Sequence, residues 1–249
     1  TLRTPGAQSE LMVALHLVDP NGDFLGVEDS YMGAGALPSP LWSERQLLAG
    51  WQYVRVGSDA DTPLVARLHV SMYDRGTGEG LPTPGNEVAT VGRIKIVPQR
   101  WPRVGEKEVV AQLGAEPPAE GQPRITLAGA AWPDGVRAGG SLPVTLTWSV
   151  GVRPKRDYSV FVHLEDEAGQ VYGYGDGAPR GGRYPVWAWA EGEVIEDEHA
   201  VSIDPAASRG RYHIVAGLYD AGGRMAAYKA DGTRWANDAI DLGTVGVVR

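Results

Sequence analysis

Apolar and polar positions alternate with a period of two along most of this chain. Val160, Val162 and Leu164 fall on one side of a strand while Phe161 and His163 fall on the other. Val201 and Ile203 alternate next, then Tyr212, Ile214, Ala216 and Leu218. Turns separate these runs. Asp19-Pro20-Asn21-Gly22 reads as a hairpin turn, with proline presetting one φ and glycine free to take a positive one, and Asp166-Glu167-Ala168-Gly169 repeats it without the proline. No apolar stripe supports a helix of three turns, and the nearest candidates, Ser43 to Ala49 and Pro205 to Ser208, are too short to cover a sheet. Strands spaced roughly 8 to 15 residues apart without crossover helices predict an all-β fold of two-sheet antiparallel sandwiches, with a small barrel as the alternative.

The pattern occurs twice. Leu11 to Gly22 aligns with Tyr158 to Gly169 at an offset of 147, and the same offset pairs His16 with His163, Asp29 with Asp176, Pro38 with Pro185 and Trp42 with Trp189. With one residue deleted, Met72-Tyr73-Asp74 meets Leu218-Tyr219-Asp220, and Val91 to Ile96 finally meets Leu242 to Val247. So many matches in order predict two tandem immunoglobulin-like modules. The first spans 1–98 and the second 124–249. Between them lies a Pro-rich connector, 99–123, with a candidate edge strand at 108–113. The second copy has two further strands, in Arg124 to Trp132 and Leu142 to Val150, about a Gly139-Gly140 turn. Thr1 falls opposite Trp148, so the first module is expected to lack its N-terminal strands, and the natural gene to encode them before Thr1. The edge so exposed is a place for self-association.

Composition narrows function mainly by exclusion. The 249 residues are 43% hydrophobic, enough for two cores, and 34 glycines with 18 prolines suit many short turns. A formal charge of −8 with no basic stripe argues against nucleic acid. The absence of cysteine removes disulfides, thiolate catalysis and sulfur-ligated zinc. No run of 18 apolar residues is present.

The run Arg156 to Leu164, then Gly181-Gly182-Arg183-Tyr184-Pro185, Trp189, Glu196-Asp197-Glu198 and Gly217 to Asp220 resembles a module of Chloroflexi-type bacterial proteins. There it is an extracytoplasmic C-terminal β-sandwich, often attached to membrane proteins similar to lipid-linked-sugar glycosyltransferases. The resemblance covers 124–249 and, with blurred motifs, 11–98. It implies an extracytoplasmic accessory or scaffold tail of a membrane-associated protein, without catalytic residues or cofactor. The partners it implies are a membrane-embedded N-terminal portion of the same protein, and a glycan or a cell-envelope protein. Ala49-Gly50-Trp51 replaces the acidic triplet in the first copy, which restricts any ligand of those acids to the second.

The residues shared by the repeats read as structural. His16 and His163 occupy equivalent strand positions and lack a nucleophile, Tyr73 and Tyr219 suggest an aromatic corner, and Asp29 and Asp176 suit turn hydrogen bonds. Pro38, Pro185, Trp42 and Trp189 recur in the loop between them, with the tryptophans expected in the core. His69, His199 and His213 do not recur and have no zinc-ligand spacing. Gly173-x-Gly175 opens no helix, the carboxylates near 191–198 form no calcium loop, and glycosidase chemistry needs two facing carboxylates, a distance no sequence reports. The stretch 172–189 does suit a sugar, because rings stack on apolar sugar faces while polar groups take hydroxyls. Tyr184 and Trp187, with Arg183 and Tyr174, are the candidate ligand-binding residues of the second module.

Overall fold

The computed structural model describes residues 10–43, 45–82, 88–103, 110–114 and 125–248. It is an all-β structure in two compact units, Thr1–Val97 and Pro98–Arg249. The second is a curled, largely antiparallel sheet, and the first a separate sheet of four strands.

In the first unit β1 (Leu11–Val18), β2 (Phe24–Ser30), β3 (Leu64–Asp74) and β4 (Ala89–Ile96) lie in the order β2-β1-β3-β4. The second unit contains β5 (Ala111–Leu113), β6 (Ile125–Ala131), β7 (Gly135–Arg137), β8 (Ser141–Val150), β9 (Ser159–Glu165), β10 (Val171–Tyr174), β11 (Val194–Ile203), β12 (Gly210–Asp220), β13 (Gly223–Arg224), β14 (Ala227–Tyr228) and β15 (Ile240–Val248). Their order is β14-β5-β6-β8-β11-β10-β9-β12-β15-β7, with β13 hairpinned onto β12. The segment before β8 is divided between the two ends of this order. β6 pairs antiparallel with β8, whereas β7 pairs parallel with β15. The Gly139-Gly140 turn therefore joins β7 to β8, not β6 to β8.

The run β10-β9-β12-β15 has the strand order of the whole first unit, and the registers agree residue by residue. Val13 faces Met72 as Val160 faces Leu218, and His16 faces His69 as His163 faces Val215. His16 faces Val27 as His163 faces Tyr174, with an irregularity following at the same place in both copies. A second irregularity recurs where Leu68 faces Gly92 and His69 faces Thr90, matched by Ile214 on Gly243 and Val215 on Asp241. A one-residue slip would reverse every side chain, so agreement through two bulges shows the same sheet, in the same register, built twice. The turns agree as well. Asp19 Oδ1 accepts the amides of Asn21 and Asp23, and Asp166 Oδ1 those of Ala168 and Gln170.

The loop after β2 and β10 repeats in finer detail. Gly33, Ala34 and Gly35 have φ of 67°, 54° and 90°, and Arg180, Gly181 and Gly182 have 53°, 62° and 83°. Three successive left-handed residues are costly without glycine, which explains why each copy places glycine at two of the three. Pro38 and Pro185 then open a single 3₁₀ turn, and the indole N–H of Trp42 donates to Leu37 O as that of Trp189 donates to Tyr184 O, both at 3.1 Å.

The units differ in what covers the sheet. In the second, Val160, Val162, Leu164, Ile214, Ala216 and Leu218 are fully buried, and Trp148 of β8 packs 6.2 Å from Trp189. In the first, the described residues include no counterpart of β6 or β8, and its core centres on Leu17, Leu64 and Ala66, with Leu25, Val54, Leu68 and Ile96 against them. Among the described residues, eleven exposed large apolar side chains lie in the first unit and three in the second, so the described part of the sheet is less well covered in the first. Trp42 is half-buried for the same reason, whereas Trp189 is in the core.

The candidate strand at 108–113 in the connector 99–123 is present as β5, which pairs with β6 in the sheet of the second unit and buries Ala111 and Leu113; residues 104–109 and 115–124 lie outside the described residues, as do 1–9. One expectation needs correction. The aromatic corner belongs to Tyr212, not to Tyr73 or Tyr219. The Tyr212 hydroxyl donates to Ser208 O at 3.0 Å, four residues upstream. Tyr219 instead packs 6.3 Å from Phe161, and the Tyr73 hydroxyl donates to Asp29 Oδ2 at 3.3 Å.

Candidate functional site

The four residues expected to bind a sugar do not form one surface. Tyr184 is 0% exposed, so its ring has no face to offer a ligand. Its hydroxyl donates to Glu193 Oε2 at 2.6 Å, and burial followed by that hydrogen bond raises its pKa. Trp187 is 37% exposed, with its amide donating to Asp157 Oδ1 at 3.3 Å, and Arg183 is half-buried. Tyr174 lines a cavity.

That cavity, about 640 Å³, opens where β10 and β11 part. The two strands pair only at Gly173 with Ile203 and Tyr174 with Ser202. Beyond this point the chain from Gly175 to Gly177 turns towards β9, where Gly175 N donates to Val162 O and Gly177 N to Val160 O. The wedge left open is walled by Tyr174 and Asp176 on one side and by Glu198, Ala200 and Ser202 on the other, with His199 at its base. Glycine is required at 175, since a Cβ there would lie 2.9 Å from Val201 Cγ2 and push the walls apart. Tyr174 is 57% exposed, and its ring rests edge-on against His163 at 5.1 Å. His163 Nε2 lies 2.9 Å from Asp176 Oδ1 without the alignment of a hydrogen bond. In the first copy, His16 and Asp29 are 4.0 Å apart.

A cavity of about 500 Å³ occupies the corresponding place in the first unit. Val27, Ser30 and Ala34 line it where the second unit has Tyr174, Gly177 and Gly181. Gln52, Tyr53 and Arg55 stand in for His199, Ala200 and Ser202, at the same offset of 147. Residues 51–57 are not a strand, yet Gly57 N donates to Leu25 O and Val54 packs on the core, so they run beside β2 as β11 runs beside β10. Ser30 Oγ and Gln52 Oε1, both shielded from solvent, have no hydrogen-bond partner among the described residues.

Beneath the second groove lies a charged cluster. Asp197, 0% exposed, accepts from Trp148 Nε1 at 3.2 Å and His199 Nε2 at 2.9 Å through Oδ2, and from Arg180 N at 2.7 Å through Oδ1. His199 Nδ1 lies 2.8 Å from Gly175 O. Both ring nitrogens thus face acceptors, which suits a doubly protonated imidazolium. Burial works to lower the His199 pKa, but the hydrogen bond and charge of Asp197, aided by the Gly175 carbonyl, outweigh it and raise the pKa above 6.5. The cluster ties β8, β10, β11 and the loop at Arg180 together.

The sequence reading leaves His199 out of any site because it does not recur, and takes Glu193 and Asp197 among the carboxylates near 191–198 that form no calcium loop. The signal for Asp197 and His199 lies in β11, whose residues alternate buried and exposed from Ile195 to Ile203, so that an acid and a histidine two apart point inwards. Among the described residues no group of three His, Cys, Asp or Glu is placed to hold a metal ion, and no helix is long and apolar enough to cross a membrane. No family model matches the chain, and no curated protein matches it.

Proposed function

We propose that this chain is a non-catalytic accessory or scaffold part of an extracytoplasmic, membrane-associated bacterial protein, built from two immunoglobulin-like sandwich modules. Three features favour that description of the second unit. One segment is shared between both edges as β6 and β7, Trp148 and Trp189 fill the core, and Tyr212 forms the corner at the start of its strand. The carrying observation for a non-catalytic role is how the buried carboxylates are used. Asp197 accepts from three donors, and Glu193 Oε2 accepts from the Tyr184 hydroxyl and Ala190 N, so both hold structure. Extracytoplasmic placement, a membrane-embedded N-terminal portion and an association with lipid-linked-sugar glycosyltransferases rest on the family resemblance. Glycans and cell-envelope proteins are the proposed partners. β4 is a further place for association. It has no described strand on its outer edge, where the matching β15 carries β7.

The test is incubation of the purified chain with chromogenic glycosides, esters and peptides. No product above the protein-free rate is expected. Turnover that disappears in Asp176→Asn or Glu198→Gln overturns the non-catalytic reading.

A further inference from the structure

The two cavities occupy one position in a duplicated sheet, and the loop that closes each has the same run of left-handed residues. We infer that they are paired binding sites for a neutral, polyhydroxylated ligand, a sugar, with the groove of the second unit the tighter of the two. This rests on the accessory-module reading and names what the modules hold.

The chemistry selects the ligand. Each groove is within the size range of small-molecule sites, about 300–1,000 Å³. Each offers an exposed tyrosine ring, Tyr174 in one and Tyr53 in the other, beside a carboxylate and a hydroxyl. A sugar uses this combination, laying its C–H face on the ring and donating hydroxyls to carboxylates. Asp176 and Glu198 line the second groove with no lysine or arginine, which disfavours phosphates and acidic sugars there, and in the first the Arg55 charge is balanced by Glu28 of the same lining. His199 offers no free charge, because Asp197 and Gly175 O already engage both nitrogens. In the first groove, Ser30 Oγ and Gln52 Oε1 are buried without partners, a cost that ligand hydroxyls would remove. The second groove binds more tightly because its ring is held in place. Tyr174 is in a strand and braced by His163, whereas Tyr53, 76% exposed, is in a segment without strand pairing.

The experiment is an amide-resolved NMR titration of the full chain with mannotriose, cellotriose, laminaritriose and tri-N-acetylchitotriose. At least one is expected to give saturable shifts at residues 174–177 and 198–202, with a weaker set at 27–30 and 52–55. Tyr174→Ala, and Ala200→Trp, which fills the groove from an exposed strand position, should each weaken the tighter site at least tenfold while leaving resonances elsewhere in place. Trp187→Ala should not change it. Absence of saturable binding by any of the four overturns the inference. So does affinity unchanged in both groove variants, or lost in Trp187→Ala, or a saturable response to calcium chloride alone. A sugar that binds and is then cleaved leaves the site standing and removes the accessory reading instead.

Discussion

Replacing Asp197 with alanine is expected to cost the second unit about 3–5 kcal/mol, the usual penalty for removing one partner of a buried ion pair. That is a large share of the roughly 5–15 kcal/mol that holds a domain together. Three donors lose their acceptor at once: Trp148 Nε1, His199 Nε2 and the amide of Arg180. Water cannot replace it readily at a site 0% exposed. The left-handed Arg180, at φ 53°, also loses the acceptor of its amide. The pH profile should change with it. The folded pKa of His199 is raised above its unfolded 6.5, so its contribution is complete below pH 6.5 and is lost as pH rises through the folded value. Urea denaturation of the wild type should show that alkaline decline, and Asp197→Asn, which keeps the shape without the charge, should flatten it. A wild-type loss and an alanine penalty both under about 1 kcal/mol would show a solvent-screened pair instead.

Leu64→Ala is expected to unfold the first unit while sparing the second. Leu64 is fully buried at the centre of a small core, and a leucine truncation in such a place costs about 2–5 kcal/mol. The first unit has little margin, since β4 is exposed along most of its length and Leu68, opposite Gly92, is only half-buried. Hydrogen exchange should show β1 to β4 losing protection, with β8, β11 and β12 unchanged. Loss of protection in both units together would contradict their division into separate folding units.

The duplicated sheet was legible in the sequence because its markers, the His, Asp, Pro and Trp pairs, fall in strands and tight turns whose spacing the backbone dictates. The groove was not. Its second wall comes from 51–55 and 198–202, where the copies share almost no chemistry: Gln52 replaces His199, and Tyr53 replaces Ala200. The burial of Tyr184 was not legible because loop residues carry no period, and the acceptor of its hydroxyl, Glu193, lies nine residues later. The Tyr212 corner escaped notice because its counterpart is Ala66, so repetition pointed to Tyr73 and Tyr219 instead. Repetition between copies therefore reports the shared sheet, and the chemistry that distinguishes the copies lies where it fails.

Both units carry one sheet in one register, with a groove at the same place in each. Nuclear Overhauser contacts between facing backbone protons read that register. Val13 is expected against Met72 and Val160 against Leu218, and His16 against Val27 matched by His163 against Tyr174. Contacts displaced by one residue in either unit, or Val54 to Arg55 away from Gly26, would contradict it.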